Sequence, residues 1–275
     1  MKNRIHYLKL SQLLIIIAVL PSCTKDGYLP NPNNCLKKIR SDGYVVEQIS
    51  YNQNNLVSEV NSTMFYRKFH YDNNYRLIKE EVAISPNSFS STILPGTTHE
   101  FVDPDKTGIW MYHFYKYQDN GNLVRKLNFV PEDGQLVFRS MTTYEYNDNN
   151  MISIAFLHDS DSAVTQFWTY RYDTNRNVIE ENYYTYLFIL SGTGPKHLNR
   201  TNYEYDSYFN PFTIFKHTGR PGIYTNTNNI IKTKTFNYEP TPGIDDYSEY
   251  ETSYEYNYES GYPLRVKGGE EYIYE

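Results

Sequence analysis

The sequence predicts an all-β body of repeated antiparallel β-hairpins forming an elongated or partly closed twisted sheet, and three observations carry that expectation. Of 275 residues, 30 are Tyr, 14 Phe and 2 Trp, so aromatics make up 17% of a chain whose mean hydropathy is −0.67. The low hydropathy excludes a protein of several membrane-spanning helices, and the aromatics argue against disorder, because disordered chains are poor in them. Along most of the chain, aromatic and polar residues alternate with the period of a half-buried strand. Beyond the N-terminus, no segment of a dozen residues spaces apolar residues three and four apart as an amphipathic helix requires.

From the N-terminus, Lys2, Arg4 and Lys9 precede the apolar run Leu13 to Leu20, which ends at Pro21-Ser22-Cys23. A run of this length rises only about 12 Å as a helix against a hydrocarbon core of roughly 30 Å, so residues 1–22 read as a cleaved export signal. The tetrad Leu20-Pro21-Ser22-Cys23 resembles the lipobox of bacterial lipoproteins; Pro21 departs from the small or aliphatic residue usual at its position. The resemblance implies a diacylglyceryl group on the Cys23 sulfur, removal of the signal before it, and acylation of the new amine. Several acyl chains hold a protein stably on a bilayer, which one chain does not. The implied partner is therefore the membrane, reached through lipid, and the implied location is the cell outer membrane. Bacteroidota lipoproteins bound for the outer face often carry an acidic cluster after this Cys. Here only Asp26 supplies it, so surface-exposed and periplasm-facing placements both remain open.

Residues 23–35 read as the lipidated Cys and a flexible tether, because Tyr28-Leu29-Pro30-Asn31-Pro32-Asn33-Asn34 is rich in Pro and Asn. From Thr24 to Cys35 an extended chain reaches at most about 40 Å. If Cys23 carries lipid, Cys35 has no partner within the chain, since these are the only 2 cysteines, and neither a disulfide framework nor a cysteine zinc site can form.

Residues 36–275 repeat one phrase: alternating aromatics ending in Tyr, a turn rich in Asn or Asp, then an apolar residue opening a second extended run. Clear copies are Phe69-His70-Tyr71-Asp72 with Leu77, Tyr115-Lys116-Tyr117-Gln118 with Leu123, Tyr144-Glu145-Tyr146-Asn147 with Met151, and Tyr170-Arg171-Tyr172-Asp173 with Val178. Tyr203-Glu204-Tyr205-Asp206 and Tyr254-Glu255-Tyr256-Asn257 continue it, and weaker copies sit at Tyr51-Asn52 with Leu56 and at Phe236-Asn237-Tyr238-Glu239 with Ile244. Period-two alternation places Trp168, Tyr170 and Tyr172 on one strand face with Thr169 and Arg171 opposite, and Asn, Asp and Gly suit the intervening turn. Successive copies are unevenly spaced. Polar insertions at 85–98, 191–195 and 219–222 read as surface loops.

These copies resemble the Tyr-Asp (YD, or RHS-type) repeats, and also Bacteroidota lipoproteins built from similar hairpins. The match is best at Tyr71-Asp72 to Arg76-Leu77, at Tyr117 to Gly121-Asn122-Leu123, and at Tyr172-Asp173 to Asn177-Val178. The resemblance implies long twisted sheets that can close into shells. This chain departs from it where Asp is replaced by Gln118, Asn147, Glu239 and Asn257, and where the Gly of the turn survives only at Gly121. The hairpin architecture therefore carries over, and an encapsulating function does not.

Removing residues 1–22 leaves 23 basic against 32 acidic residues, so nucleic acid is excluded as a partner. The imbalance gathers in residues 239–275, where ten acids face only Arg265 and Lys267; that segment reads as a solvated strand face or as a site for a cation or a basic partner.

Few residues suggest chemistry. The histidines beyond the signal, His70, His99, His113, His158, His197 and His217, show no metal-ligand spacing, and those in alternating strands read as outward-facing or hydrogen-bonded. Asp103-Pro104-Asp105-Lys106-Thr107-Gly108 has the opening of a calcium loop, but Phe114 stands where the bidentate carboxylate belongs, so a turn is expected. No Gly-x-Ser-x-Gly elbow or phosphate-cradling Gly loop is present, and Asp161-Ser162-Ala163 matches a short O-glycosylation acceptor pattern. No catalytic residue, metal or cofactor is assigned. Trp168, Tyr170 and Tyr172 form a candidate ligand-stacking face, and Trp110 is a further exposed-ring candidate.

The function expected from these residues is that of a lipid-anchored cell-envelope protein with a non-enzymatic binding or structural role, its partner a glycan or a protein. The alternative is a polysaccharide-related lipoprotein, either a glycan binder or a hydrolase with dispersed carboxylates, which leave no local spacing in a sequence. A strand-adding role on open sheet edges is a third expectation.

Overall fold

The computed structural model describes residues 35–85, 100–186, 194–238 and 247–274. The signal, the lipobox Cys23 and the tether up to Asn34 lie outside these residues, as do Ile244 and most of the expected loops at 85–98 and 191–195. Strands run β1 (Leu36–Ser41), β2 (Tyr44–Tyr51), β3 (Val57–Ser62), β4 (Phe65–Tyr71) and β5 (Leu77–Ile84), followed by a single helical turn α1 (Pro104–Thr107). Then come β6 (Met111–Tyr117), β7 (Leu123–Glu132), β8 (Gln135–Tyr146), β9 (Ile152–His158), β10 (Val164–Tyr172), β11 (Val178–Thr185) and β12 (Lys196–Phe209). After a 3-10 helix (Pro211–Thr218) follow β13 (Asn228–Tyr238), β14 (Tyr247–Ser253), β15 (Tyr256–Glu259), β16 (Tyr262–Val266) and β17 (Glu271–Tyr274).

All strands belong to one antiparallel sheet. Each of β1 to β13 pairs with the next in sequence, while β17 pairs with β1 and, through β16, with β15. No ladder joins β14 to β15, so the sheet is not closed by hydrogen bonding. Its two edge strands are nevertheless consecutive in the chain, separated only by Tyr254 and Glu255, and so the sheet must curl back on itself. Those two residues pass the pairing across, Tyr254 N donating to Ile231 O and Glu255 O accepting from Lys267 N, each at 2.8 Å.

The turns explain the polar residue after each Tyr. The Oδ1 of Asn52 accepts from Asn54 N and Leu56 N, and Asp72, Asn147 and Asp173 repeat this with the second and fourth residues after them. The fourth turn position takes positive φ, at Asn55 (57°), Tyr75 (62°), Gly121 (89°), Asn150 (58°) and Arg176 (69°), and a register shift precedes each anchor Tyr. Such bulged hairpin turns increase the twist that curls a sheet.

Tyrosine hydroxyls then bind hairpin to hairpin. Tyr51 donates to Leu36 O, Tyr71 to Val57 O, Tyr117 to Leu77 O and Tyr146 to Leu123 O, at 2.6–2.9 Å. Tyr172 donates to Ile152 O, Tyr205 to Val178 O, Tyr256 to Ile230 O and Tyr274 to Pro263 O. Nearly every acceptor is the residue paired with the preceding Tyr of the belt: Val57 faces Tyr51, Leu77 faces Tyr71, Leu123 faces Tyr117, and Leu36, which accepts from Tyr51, faces Tyr274. The result is a belt around the inner wall, where the apolar core also lies.

The chain departs from the sequence reading in three places. Tyr238, expected as an anchor, packs outside the belt against His197 and Tyr247, and Tyr274 takes the place in the belt instead. Cys35, expected in the tether, is 3% exposed at the foot of β1, so the packed body takes in the last tether residue. Residues Pro211–Thr218, which lie in a body expected to contain no helix, form the 3-10 helix, with Pro at its first turn and the Asn210 side chain capping it. This helix plugs the interior. Phe215 lies 6.2 Å from Phe69, Phe212 is edge-on to Tyr272 at 5.7 Å, and a Cβ on Gly219 would stand 2.5 Å from Leu123 Cδ2.

Candidate functional site

The inner wall of β4 to β8 carries the chemistry. Its alternation sets Arg67 in phase with Phe69 and Tyr71, and the register places Glu80 beside Phe69 and His113, with Lys126 beside Tyr115. Arg67 Nε donates to Glu80 Oε1 at 2.5 Å, and Tyr115 Oη donates to Oε2 at 2.6 Å. The guanidinium lies over the rings of Phe69 and Phe215, at 4.9 and 5.8 Å. Glu80 is 2% exposed, and desolvation alone would raise its pKa. Arg67, Lys126 and His113 outweigh that and hold it at about 2. Bonded at both oxygens and held ionised, this carboxylate serves the fold as a buried ion pair.

Around the pair lie groups with fewer partners. Desolvation lowers the Lys126 amine, with Arg67 and Arg220 adding to the effect, and Lys126 forms no ion pair among the described residues. Desolvation raises the Glu47 carboxyl to about 7, which Arg67 opposes and Glu270 reinforces. Glu181, beside Tyr170, is also raised by desolvation, with the Arg220 charge opposing. His113 Nδ1 bonds Asn128 Oδ1 at 2.7 Å, and desolvation, then Lys126, lowers it to about 4. The interior thus holds mutually compensating charges on a wall otherwise built of aliphatic and aromatic side chains.

Trp168, Tyr170 and Tyr172 share one face as alternation requires, and it is the inward one. Trp168 stacks on Tyr183 at 5.0 Å, Tyr170 is 9% exposed, and Tyr172 is a belt residue. Trp110 is 45% exposed, its backbone N–H bonded to Val82 O. Asp103 caps α1, accepting from Asp105 N and pairing with Lys106 at 3.1 Å, which accounts for the calcium-like spacing. Asp159 caps its own turn through Asp161 N and Ala163 N. Of the outward histidines, His70 pairs with Glu81 at 2.9 Å and His158 bonds Thr143 Oγ1. Among the described residues no group of three or more His, Cys, Asp or Glu is arranged to hold a metal ion. Sequence reasoning missed the Arg67-Glu80-Tyr115 cluster. Its one available signal was a charged residue, Arg67, in the apolar phase of the Phe69 strand.

The outer face is polar and ion-paired around the sheet. Lys79 meets Glu81 at 2.8 Å, Arg171 meets Glu180 at 3.6 Å, Lys232 meets Glu251 at 3.0 Å, and Lys234 meets Glu249 at 3.2 Å. Between these pairs a cross-strand row of rings runs from Phe167 to Tyr184, His197 and Tyr238, with centroids 4.4–4.6 Å apart.

No family model and no curated protein matches the chain. Among solved structures it is similar to a porin-like protein from Bacteroides uniformis, at 10% identity and TM-score 0.39, covering 89% of this chain and 98% of that one. A porin-like protein from Bacteroides vulgatus matches at 9% identity and TM-score 0.36, covering 88% and 99%. The TcdB2-TccC3-TEV structure matches at 11% identity and TM-score 0.21, covering 76% of this chain but only 13% of that one. Likenesses at these scores leave function to the residues of this chain.

Proposed function

We propose that the protein is a lipid-anchored component of the bacterial outer membrane with a non-enzymatic binding or structural role. The observation that carries this reading is the ion-paired outer face. A charged residue on a lipid-facing barrel wall costs about 2–4 kcal/mol at the bilayer midplane, and this wall carries charges on most of its strands. The sheet therefore faces water, and attachment to a membrane falls to Cys23. The interior supports a non-enzymatic role, since its best-placed carboxylate is held by Arg67 and Tyr115. Kinship with YD-type repeats is supported by the turns, where positive φ falls at the position those repeats give to Gly.

Metabolic labelling of the full chain with an alkynyl fatty acid in a Bacteroidota host, followed by carbonate extraction of membranes, tests the proposal. Wild type should take up label and stay with the membrane, and Cys23→Ser should lose label and appear in the soluble fraction. A Cys23→Ser protein that resists carbonate extraction would mean that the sheet itself enters the bilayer, and the proposal would fall.

A further inference from the structure

We infer that the outer edge of β14, which no strand among the described residues pairs with, is a docking edge for an extended, basic segment of another protein, which adds a strand to the sheet. The inference deepens the binding role proposed above and rests on it. Every residue of β14 is exposed, Tyr250 to 55%, and its ladder to β13 runs from Tyr247 to Ser253 with no register shift. The bond from Tyr254 N to Ile231 O fixes the phase of that ladder. In an antiparallel pair alternate residues turn their peptide groups to the same neighbour. Ser248, Tyr250 and Thr252 therefore bond to β13, while the N–H and C=O of Glu249 and Glu251 point to the open side. Protected edges are short, bulged, or marked by Pro or charge; β14 has no bulge and no Pro, and its only guard is the negative charge of Glu249 and Glu251, which a basic segment would neutralise.

Charge selects the occupant. Glu249 and Glu251 project from one face of β14, and the same patch holds Glu204, so Lys232 and Lys234 serve three carboxylates between them. The side chains of Glu249 and Glu251 keep 49% and 46% exposure. An incoming strand would set every second side chain beside them, which favours Lys or Arg there, and would set the alternate ones against Tyr250. A second copy of this chain does not fit. Antiparallel self-pairing centred on Tyr250 puts Glu249 opposite Glu251 twice, and shifting by two residues puts one of them opposite itself. Like charges directly opposite destabilise a strand pair.

The test uses the full chain in detergent and two labelled heptapeptides, one alternating lysine with tyrosine and one alternating glutamate with tyrosine. Fluorescence anisotropy should show the lysine peptide binding at least about tenfold more tightly, and hydrogen exchange should slow at Glu249 and Glu251. Glu249→Lys combined with Glu251→Lys should reverse the preference. Glu251→Pro removes an outward N–H without breaking the β13 ladder, so it should weaken binding by about tenfold with an unchanged circular dichroism spectrum. Equal affinity for both peptides, protection elsewhere on the chain, or binding indifferent to Glu251→Pro would overturn the inference. Fatty-acid labelling at Cys23 is read separately, so the two proposals fail independently.

Discussion

Replacing Tyr146 by Phe isolates what the tyrosine belt contributes. The ring keeps its packing against the core, and only the hydroxyl that donates to Leu123 O at 2.9 Å is lost. A net hydrogen bond is worth about 1 kcal/mol, and loss rises toward roughly 2 where the deserted acceptor is buried, as Leu123 is at 6% exposure. With a urea m-value near 2.5 kcal/mol/M for a body of this size, the midpoint should fall by about 0.4–0.8 M at unchanged m. Tyr75→Phe, at a position 55% exposed, is the control and should shift nothing. Tyr71→Phe and Tyr172→Phe share no acceptor, so their losses should add. A second readout is alkaline pH. Desolvation pushes the Tyr146 phenol up to about 12, so its contribution is complete below pH 10 and is lost as pH rises through 12. Tyr146→Phe should flatten that decline. A Tyr146→Phe midpoint indistinguishable from that of Tyr75→Phe would refute the belt as a source of stability.

The plug and the interior charges give two further outcomes. Gly219→Ala should cost about 2–3 kcal/mol, because φ is +72° and the new Cβ would meet Leu123 Cδ2 at 2.5 Å and Tyr144 Oη at 2.7 Å. Gly222→Ala, with φ +95° but open space around it, should cost only about 1 kcal/mol, and thermal melts of the two compared with wild type check the difference. Glu47→Gln should stabilise the protein at pH 8 and not at pH 4. A carboxyl raised to about 7 stabilises the fold fully below its unfolded pKa near 4.5, and this is lost as pH rises through 7. Denaturant titrations at both pH values would show the gain, roughly 1–3 kcal/mol, at the higher one alone.

The hairpins were legible because both halves of each carry local signals: alternation sets the strand faces, and the Asp or Asn after the Tyr caps its own turn. The belt was only half legible. Its members from Tyr51 to Tyr205 each precede a turn, which marks them, but Tyr274 ends the chain's last strand and is recruited through its pairing with Leu36 across the whole length of the sequence. Tyr238 carries the local phrase, yet it ends β13 at the end of the sheet opposite the belt, and its ring lies against His197 and Tyr247. The 3-10 helix was missed because one short turn offers no period to read; the Asn210-Pro211 cap was its only mark. Nor does the sequence pair Arg67 with Glu80, since only the register between β4 and β5 brings them together.

Why a repeat this irregular still curls back on itself follows from where its variation falls. The connections β5 to β6, β11 to β12 and β13 to β14 leave from the end opposite the Tyr turns, so their lengths do not disturb the belt. One large insertion, between Tyr205 and Ile230, enters at the belt end, and there the register resumes with Ile230 still opposite Tyr205. Each hairpin needs only a hydroxyl aimed at the carbonyl that opens the previous one, a requirement independent of the number of residues between them. Phe would fill the same space but could not make that bond, and a hydroxyl on a shorter side chain would not reach across two strands. This accounts for Tyr in place of Phe at the eight belt positions. It also places the weak point of the ring at β14 and β15, where the chain covers two edges with one strand and leaves part of the first edge open.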